Sequence, residues 1–344
     1  MPTNETPRVP VEETPPGPRP IEPAATHTCG FVGPADEGPA GEARRVTSSA
    51  EAEEEYGAAG WLAPAASDFL GQGGQTAVLV RSAGPEGLAA LDAEDIHLLV
   101  VDPSIIDLAT AYTWCEEHRA LLVVDATPEG ALPTGLSRNA AAYYPPLVDG
   151  DGTRPVAPAV AGVIARNDRT RRVWTSPAGR DAEVLGGRPA VALDSRRVES
   201  LANAHVNPLR DIGDGRLVVW GARTATTDPE WKYVAVRRSI LFLEQSIDEG
   251  LRWAVFEPND DALWLAARRA VEEFLLEVWR DGGLRGDKPE EAYFVRCDRS
   301  TMTQEDIDNG RLVVLVGVAP ARPAEFVLFR IGQWTSSRPD PADD

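Results

Sequence analysis

The chain has 344 residues, length enough for two domains of ordinary size, and its 43% of apolar residues is enough to build their cores. Its formal net charge of −20 at pH 7 argues against a nucleic-acid binder, because a phosphate backbone is neutralised by clustered Lys and Arg, and it also argues against anionic membranes. No run approaches the roughly 18 consecutive apolar residues of a membrane helix, and Pro2 to Pro10 has neither the basic run nor the apolar core of a secretory signal. The expectation is a protein assembled in the cytoplasm, with no membrane insertion.

The first 23 residues carry eight prolines, Pro2, Pro7, Pro10, Pro15, Pro16, Pro18, Pro20 and Pro23. Such a segment cannot be helical and prefers an extended form. It reads either as a tail or as an arm that adds a strand, around Val9 and Val11, to a neighbour's sheet edge. The run Thr26 to Gly33 reads as the first strand. Ser48 or Ser49 caps a short acidic helix through Glu55. Gly71-Gln72-Gly73-Gly74-Gln75 is glycine-rich, but it lacks the Lys-Ser/Thr of a phosphate loop and precedes a strand, so it reads as a turn.

Ala77 to Arg81 and Ile96 to Val101 are predicted strands, a helix is expected from Pro103-Ser104 to His118, and Ala120 to Val124 is the next strand. Strand, helix and strand in this order make a βαβ unit with a parallel pair. Asp102 and Asp125 then sit at strand ends, where ligands bind in such folds and where turns also begin. Leu132 to Val148 suggests a strand that ends at Tyr144-Pro145-Pro146. Pro155 to Arg166 has small residues at helical spacing. Asn167 to Gly179 reads as a basic loop, with Arg166, Arg169, Arg171 and Arg172 as its cationic cluster.

The C-terminal half is more regular. Arg216 to Trp220 is a predicted strand, Asp228-Pro229 opens a helix to Glu249, and Trp253 to Phe256 is another strand. Asn259 or Asp260 caps a helix to Asp281, with an apolar stripe of Leu263, Trp264, Ala267, Ala270, Val271, Phe274, Leu275 and Val278. Gly282-Gly283 stops it. Ala292 to Val295 is a strand, Thr303 opens an acidic turn, and Leu312 to Val318 reads as a fully buried strand, with Phe326 to Ile331 paired to it or beside it.

No catalytic constellation emerges. The four histidines, His27, His97, His118 and His205, have no spaced partners. The three cysteines, Cys29, Cys115 and Cys297, form no disulfide or zinc pattern, although Cys115 and His118 have the spacing of two metal ligands. Glu257, Asp260 and Asp261 make an acid cluster that a helix N-terminus also explains. Neither a catalytic residue, a cofactor nor a metal is expected. An acidic α/β hydrolase-like enzyme and a monomeric binding module remain the alternatives from other classes.

Three long strings carry a resemblance. They are NPLRDIGDGRLVVWGARTATTDPEWKYVAVRR from Asn207, ESID with WAVFEPNDDALW, and CDRSTMTQEDIDNGRLVVLVGVAPARPAEFVLFRIGQ from Cys297 to Gln333. They resemble the tail sheath proteins of contractile phage tails and contractile injection systems. VEETPPGPRPIEPAATHTCGFVGPADEGP, DFLGQGGQTAVLVR, SRNAAAYYPPL and PAVAGVIARNDRTRRVWTSPAG extend it along the chain. Only residues 82–95 separate two strands where family members often carry insertions, so this resembles a pared-down subunit.

The resemblance implies an α/β chain, α+β in parts, with extended terminal arms. Residues 1–23 would be the N-terminal arm, 24–200 a middle (outer) domain containing the βαβ unit, 201–333 a mixed-sheet inner domain, and 334–344 a loose tail. It implies a structural subunit that stacks as hexameric rings around an inner tube protein, with baseplate and terminal cap proteins as further partners, and that contracts to drive the tube through an envelope. Val9, Val11, Glu12 and Glu13, and Phe326, Val327, Leu328, Phe329 and Ile331, are the expected inter-subunit arm residues. Arg237, Arg238, Arg268 and Arg269, on the two long helices, are the expected tube contact.

Overall fold

Apolar runs of four to six residues, punctuated by turns, build the central sheet. In the computed structural model, which describes residues 19–325 except 151 and 214, the strands of the first unit are β1 (Thr28–Gly33), β2 (Ala43–Val46), β3 (Thr76–Arg81), β4 (Leu98–Val101), β5 (Leu121–Asp125), β6 (Ala140–Tyr144), β7 (Leu147–Asp149), β8 (Gly152–Arg154), β9 (Val206–Asp211) and β10 (Leu217–Val219). Eight of them form one sheet in the order β10-β9-β6-β5-β4-β1-β3-β2, while β7 and β8 make a separate hairpin. The sheet is parallel from β3 through β9, with antiparallel β2 and β10 at its edges. Its central strands are buried throughout, as strands covered on both faces must be.

Helices α1 (Ser49–Tyr56), α2 (Leu62–Gly71) and α4 (Ala157–Arg171) cover one face, around Phe31, Leu79, Leu98 and Leu121. Helix α3 (Leu108–Glu117) covers the other, around Leu99, Val101 and Leu122. The expected βαβ unit is β4-α3-β5, with β4 and β5 parallel. Ser48 caps α1 through Glu51 N, as its position before an acidic stretch predicts. Helix α5 (Ser195–Asn203), capped by Asp194, leads into β9.

Packing of α2 on α4 turns on a missing side chain. A Cβ at Gly162 would lie 2.3 Å from Phe69 O and 2.7 Å from Gln72 Cβ. Gly162→Ala is therefore expected to destabilise the fold by about 1–3 kcal/mol through overpacking. An unchanged urea midpoint would show that the two helices separate freely.

Four expectations are corrected. The division at residue 200 falls inside the sheet, because β9 pairs with β6 and β10 with β9. Asn207 Nδ2 also donates to Ala142 O (3.1 Å) and to Arg223 O (2.7 Å), so residues 206–219 are bound into the first unit. The basic segment after Arg166 is helical through Arg171, and its cations meet acids of their own chain: Arg171 contacts Asp181 at 2.8 Å and Arg172 contacts Asp281 at 3.6 Å. Trp253 to Phe256 is not a strand. A 3-10 turn at Arg252–Ala254 continues the preceding helix, and Phe256 has a φ of +71°. Leu312 to Val318 is ordered as a strand only from Leu315, and it is half-buried at most.

The second unit rests on two long helices, α6 (Val234–Gly250) and α7 (Asp261–Arg280). Asp260 caps α7 by accepting from Ala262 N and Leu263 N, both at 3.0 Å. The buried residues of α7 are Leu263, Trp264, Ala267, Ala270, Val271, Phe274, Leu275 and Val278, the stripe that its periodicity predicts. Helix α8 (Pro289–Ala292) leads into β11 (Tyr293–Arg296), and α9 (Gln304–Asp308), with a capping box at Thr303, precedes β12 (Leu315–Val318). Strands β11 and β12 form an antiparallel pair packed on α7.

Candidate functional site: an open sheet edge beside an apolar groove

Strand β12 has one partner among the described residues, β11, and none of those residues forms a strand along its other edge. Beside that edge lies a groove of about 1840 Å³. A pocket for a small molecule measures roughly 300–1,000 Å³, so this one has room for a stretch of polypeptide. On one side α6 presents Val236, Ile240, Leu243 and Ile247; on the other stand Val314, Val316 and Val318. The rim carries apolar residues in the open: Leu315 is 48% exposed, Val255 60% and Phe256 102%.

Two polar clusters hold this unit on the sheet. In the first, Arg238 is only 4% exposed and its partner Asp168 is 2% exposed by side chain. Arg238 Nη1 donates to Asp168 Oδ2 and its Nη2 to Thr26 O, each at 2.5 Å. Burial pushes the Asp168 carboxyl up from its ordinary range, and the Arg238 charge opposes that rise. The neighbouring Arg237 donates from Nε to Asn139 Oδ1 at 2.6 Å and lies over the Trp231 ring at 5.1 Å. The reading of Arg237 and Arg238 as a tube contact is thus corrected. Both side chains face inward, where hydrogen-bonding partners from the sheet unit compensate their charge.

In the second cluster Glu325 sits in a socket of three donors. Arg223 grips it from Nε and Nη2 at 2.7 and 2.9 Å, Lys232 Nζ lies at 2.9 Å, and Tyr233 Oη at 3.2 Å. Partial burial pushes this carboxyl up, but the hydrogen bonds and charges of Arg223 and Lys232 outweigh it and hold the group down to about 2. Arg223 is itself fixed, with Nη1 donating to Ala202 O at 2.6 Å and its N–H to Asn207 Oδ1 at 2.7 Å.

Arg268 and Arg269 remain at the surface of α7, where Arg268 Nε lies 3.5 Å from Glu272 Oε1 on its own helix and Arg269 is exposed. The expected arm residues Val9, Val11, Glu12 and Glu13, and Phe326 to Ile331, lie outside the described residues. The acidic candidates resolve into structural roles. Asp102 accepts from Ser104 N in a turn (2.9 Å). Asp125 accepts from Val156 N and Ala157 N at the start of α4, although burial pushes its carboxyl up to about 6. Cys115 is buried, whereas His118 stacks on Trp114 at 4.2 Å, so that pair does not converge on a metal. Sequence reasoning passed over Glu325 and Ser246. No local signal marks Glu325, because its partners Arg223, Lys232 and Tyr233 lie 92 to 102 residues away in the chain.

Residues 226–333 match the family described as the phage tail sheath C-terminal domain. The anti-feeding prophage (AFP) helical sheath in its contracted state superposes with a TM-score of 0.82 at 29% identity, covering 96% of this chain and 100% of that one. The PVC sheath complex of an extracellular contractile injection system, also contracted, gives a TM-score of 0.81 at 28% identity, with 97% and 99% covered. The tail sheath protein of Vibrio phage KVP40 is 26% identical over 176 residues, 50% of this chain. The chain spans only 25% of that protein's length. Residues 226–333 thus carry the phage tail sheath C-terminal domain, and the chain as a whole is similar, along nearly its full length, to the sheath proteins of contractile injection systems.

Proposed function

We propose that this chain is the sheath subunit of a phage tail or tail-like particle, that it stacks in six-fold rings around an inner tube, and that it contracts to drive the tube through an envelope. The observation that carries the reading is the open β12 edge over the apolar groove. An incoming strand would bond its main chain to β12 and lay alternate side chains on α6. Its source is a second copy of this chain, through the segment around Val9 to Glu13, with Phe326 to Ile331 of a further copy beside it. Main-chain pairing of this kind survives rotation of rigid units, as contraction requires. The inner tube would face α7, whose exposed side carries Leu265 and Arg269. Baseplate and cap proteins would close the two ends of the polymer.

The test is a deletion. Ile21 is buried in the second unit's core, so removing residues 1–23 would damage the fold itself. Removing residues 1–18 leaves that anchor. The shortened chain is expected to fold with wild-type circular dichroism and to form no tubes by negative-stain microscopy, with or without the tube protein. Normal tubes from it would overturn the reading. Arg269→Glu is expected to weaken assembly on tubes while leaving stability within about 0.5 kcal/mol.

A further inference from the structure

The chain between the arm and β1 runs along α6, tied at intervals. Arg238 Nη2 holds Thr26 O at 2.5 Å, and Ala24 N donates to Ser246 Oγ at 3.0 Å. Ile21 lies against Gly250, where a Cβ would come within 2.6 Å of both Ile21 Cγ1 and Cγ2. The Arg19 guanidinium stands 5.2 Å from the centroid of the Trp253 ring. Residues 19 to 26 thus track α6 from its C-terminal end back towards its N-terminal end.

The reach of the segment matches the length of helix that it crosses. Seven extended residues span about 23 Å, and the fifteen residues from Arg238 to Trp253 rise about 22 Å. Pro20 and Pro23 fix two of the backbone angles along the way. Ile21 is 5% exposed, and it packs in the core that Phe242, Phe274 and Leu275 build. The sheet unit begins only beyond this point, at Thr28.

We infer that residues 19–27 are a strap that carries tension: a pull on the N-terminal arm enters the core of the second unit through Ile21 and the α6 ties, and bypasses the eight-stranded sheet. This rests on the arm of one copy being held by another. A strap tied at Arg19, Ile21, Ala24 and Thr26 transmits a neighbour's movement to α6 directly, whereas an untied linker would absorb it. The groove that receives a neighbour's arm is lined by the same helix. Each α6 therefore joins the arm a subunit extends to the arm it accepts.

Two variants of the full chain test this. Gly250→Ala pushes Ile21 from its seat, and Ser246→Val removes the acceptor for Ala24 N; neither touches the arm. Hydrogen exchange on the monomer is expected to show the strap's Ala24 amide protected in the wild type and exchanging at least tenfold faster in both variants, with β1 to β6 unchanged. Tube formation is expected to fall at least tenfold in each. Tubes at wild-type level from variants whose straps exchange freely would overturn the inference, as would a wild-type strap that shows no protection. If the wild type itself forms no tubes, the sheath reading fails, and the strap is then decided by the exchange pattern alone.

Discussion

Arg238→Met is expected to lower stability by about 3–5 kcal/mol, read as a shift in urea or thermal unfolding, because it leaves a buried carboxylate without its partner. Asp168 is 2% exposed by side chain and has no other cation at bonding distance among the described residues. The same substitution frees Thr26 O from its donor. The double variant Arg238→Met with Asp168→Leu is expected to regain most of the loss, since an apolar pair of similar volume fills the space without a charge. The sign of the pH effect follows from burial. In Arg238→Met the Asp168 carboxyl, already pushed up, loses the charge that opposed the rise. Its folded value then lies further above its unfolded one. The deficit is therefore greatest near neutral pH and shrinks in acid, where the carboxyl takes up a proton. A loss below about 1 kcal/mol would mean that water reaches the pair.

Glu325→Gln is the second large effect. The carboxylate has four hydrogen bonds to three residues, and its side chain is 21% exposed. Hydrogen bonds to a charged group contribute about 1.5–3 kcal/mol before solvent and salt screen them, so a loss of about 1–3 kcal/mol is expected at low salt, and less at high salt. Glu325 is held down to about 2 from its ordinary 4.5. Its contribution is fully present above about 4.5 and disappears as the pH falls toward 2, because protons then bind the unfolded chain first. The variant should lack that part of the acid dependence. An identical acid profile from both proteins would show that the socket contributes nothing.

Much of the helical structure was legible in one dimension. The stripe of α7 matched residue for residue, and the caps at Ser48, Asp260 and Thr303 stand where predicted. Periodicity and capping are local, involving residues three or four apart, so the chain itself displays them. The reading of Leu312 to Val318 as fully buried failed for a related reason. An apolar strand looks the same in sequence whether its own fold or a neighbouring subunit covers it. Trp253 to Phe256 failed because four apolar residues do not distinguish a strand from the end of a helix.

The open edge that carries the functional reading was therefore visible in sequence only as an apolar run. By itself the sequence determined the acidic charge, the alternation of elements, the α7 stripe and the family resemblance. Tertiary structure alone decided that Arg237 and Arg238 turn inward, that the sheet runs on through β10, and that the chain from Arg19 to Thr26 lies along α6. The physical reason is separation along the chain: Arg238 meets Asp168 across 70 residues and Thr26 across 212. At such distances no local pattern distinguishes an arginine that anchors a core from one that faces a partner, and only packing settles which charge is buried.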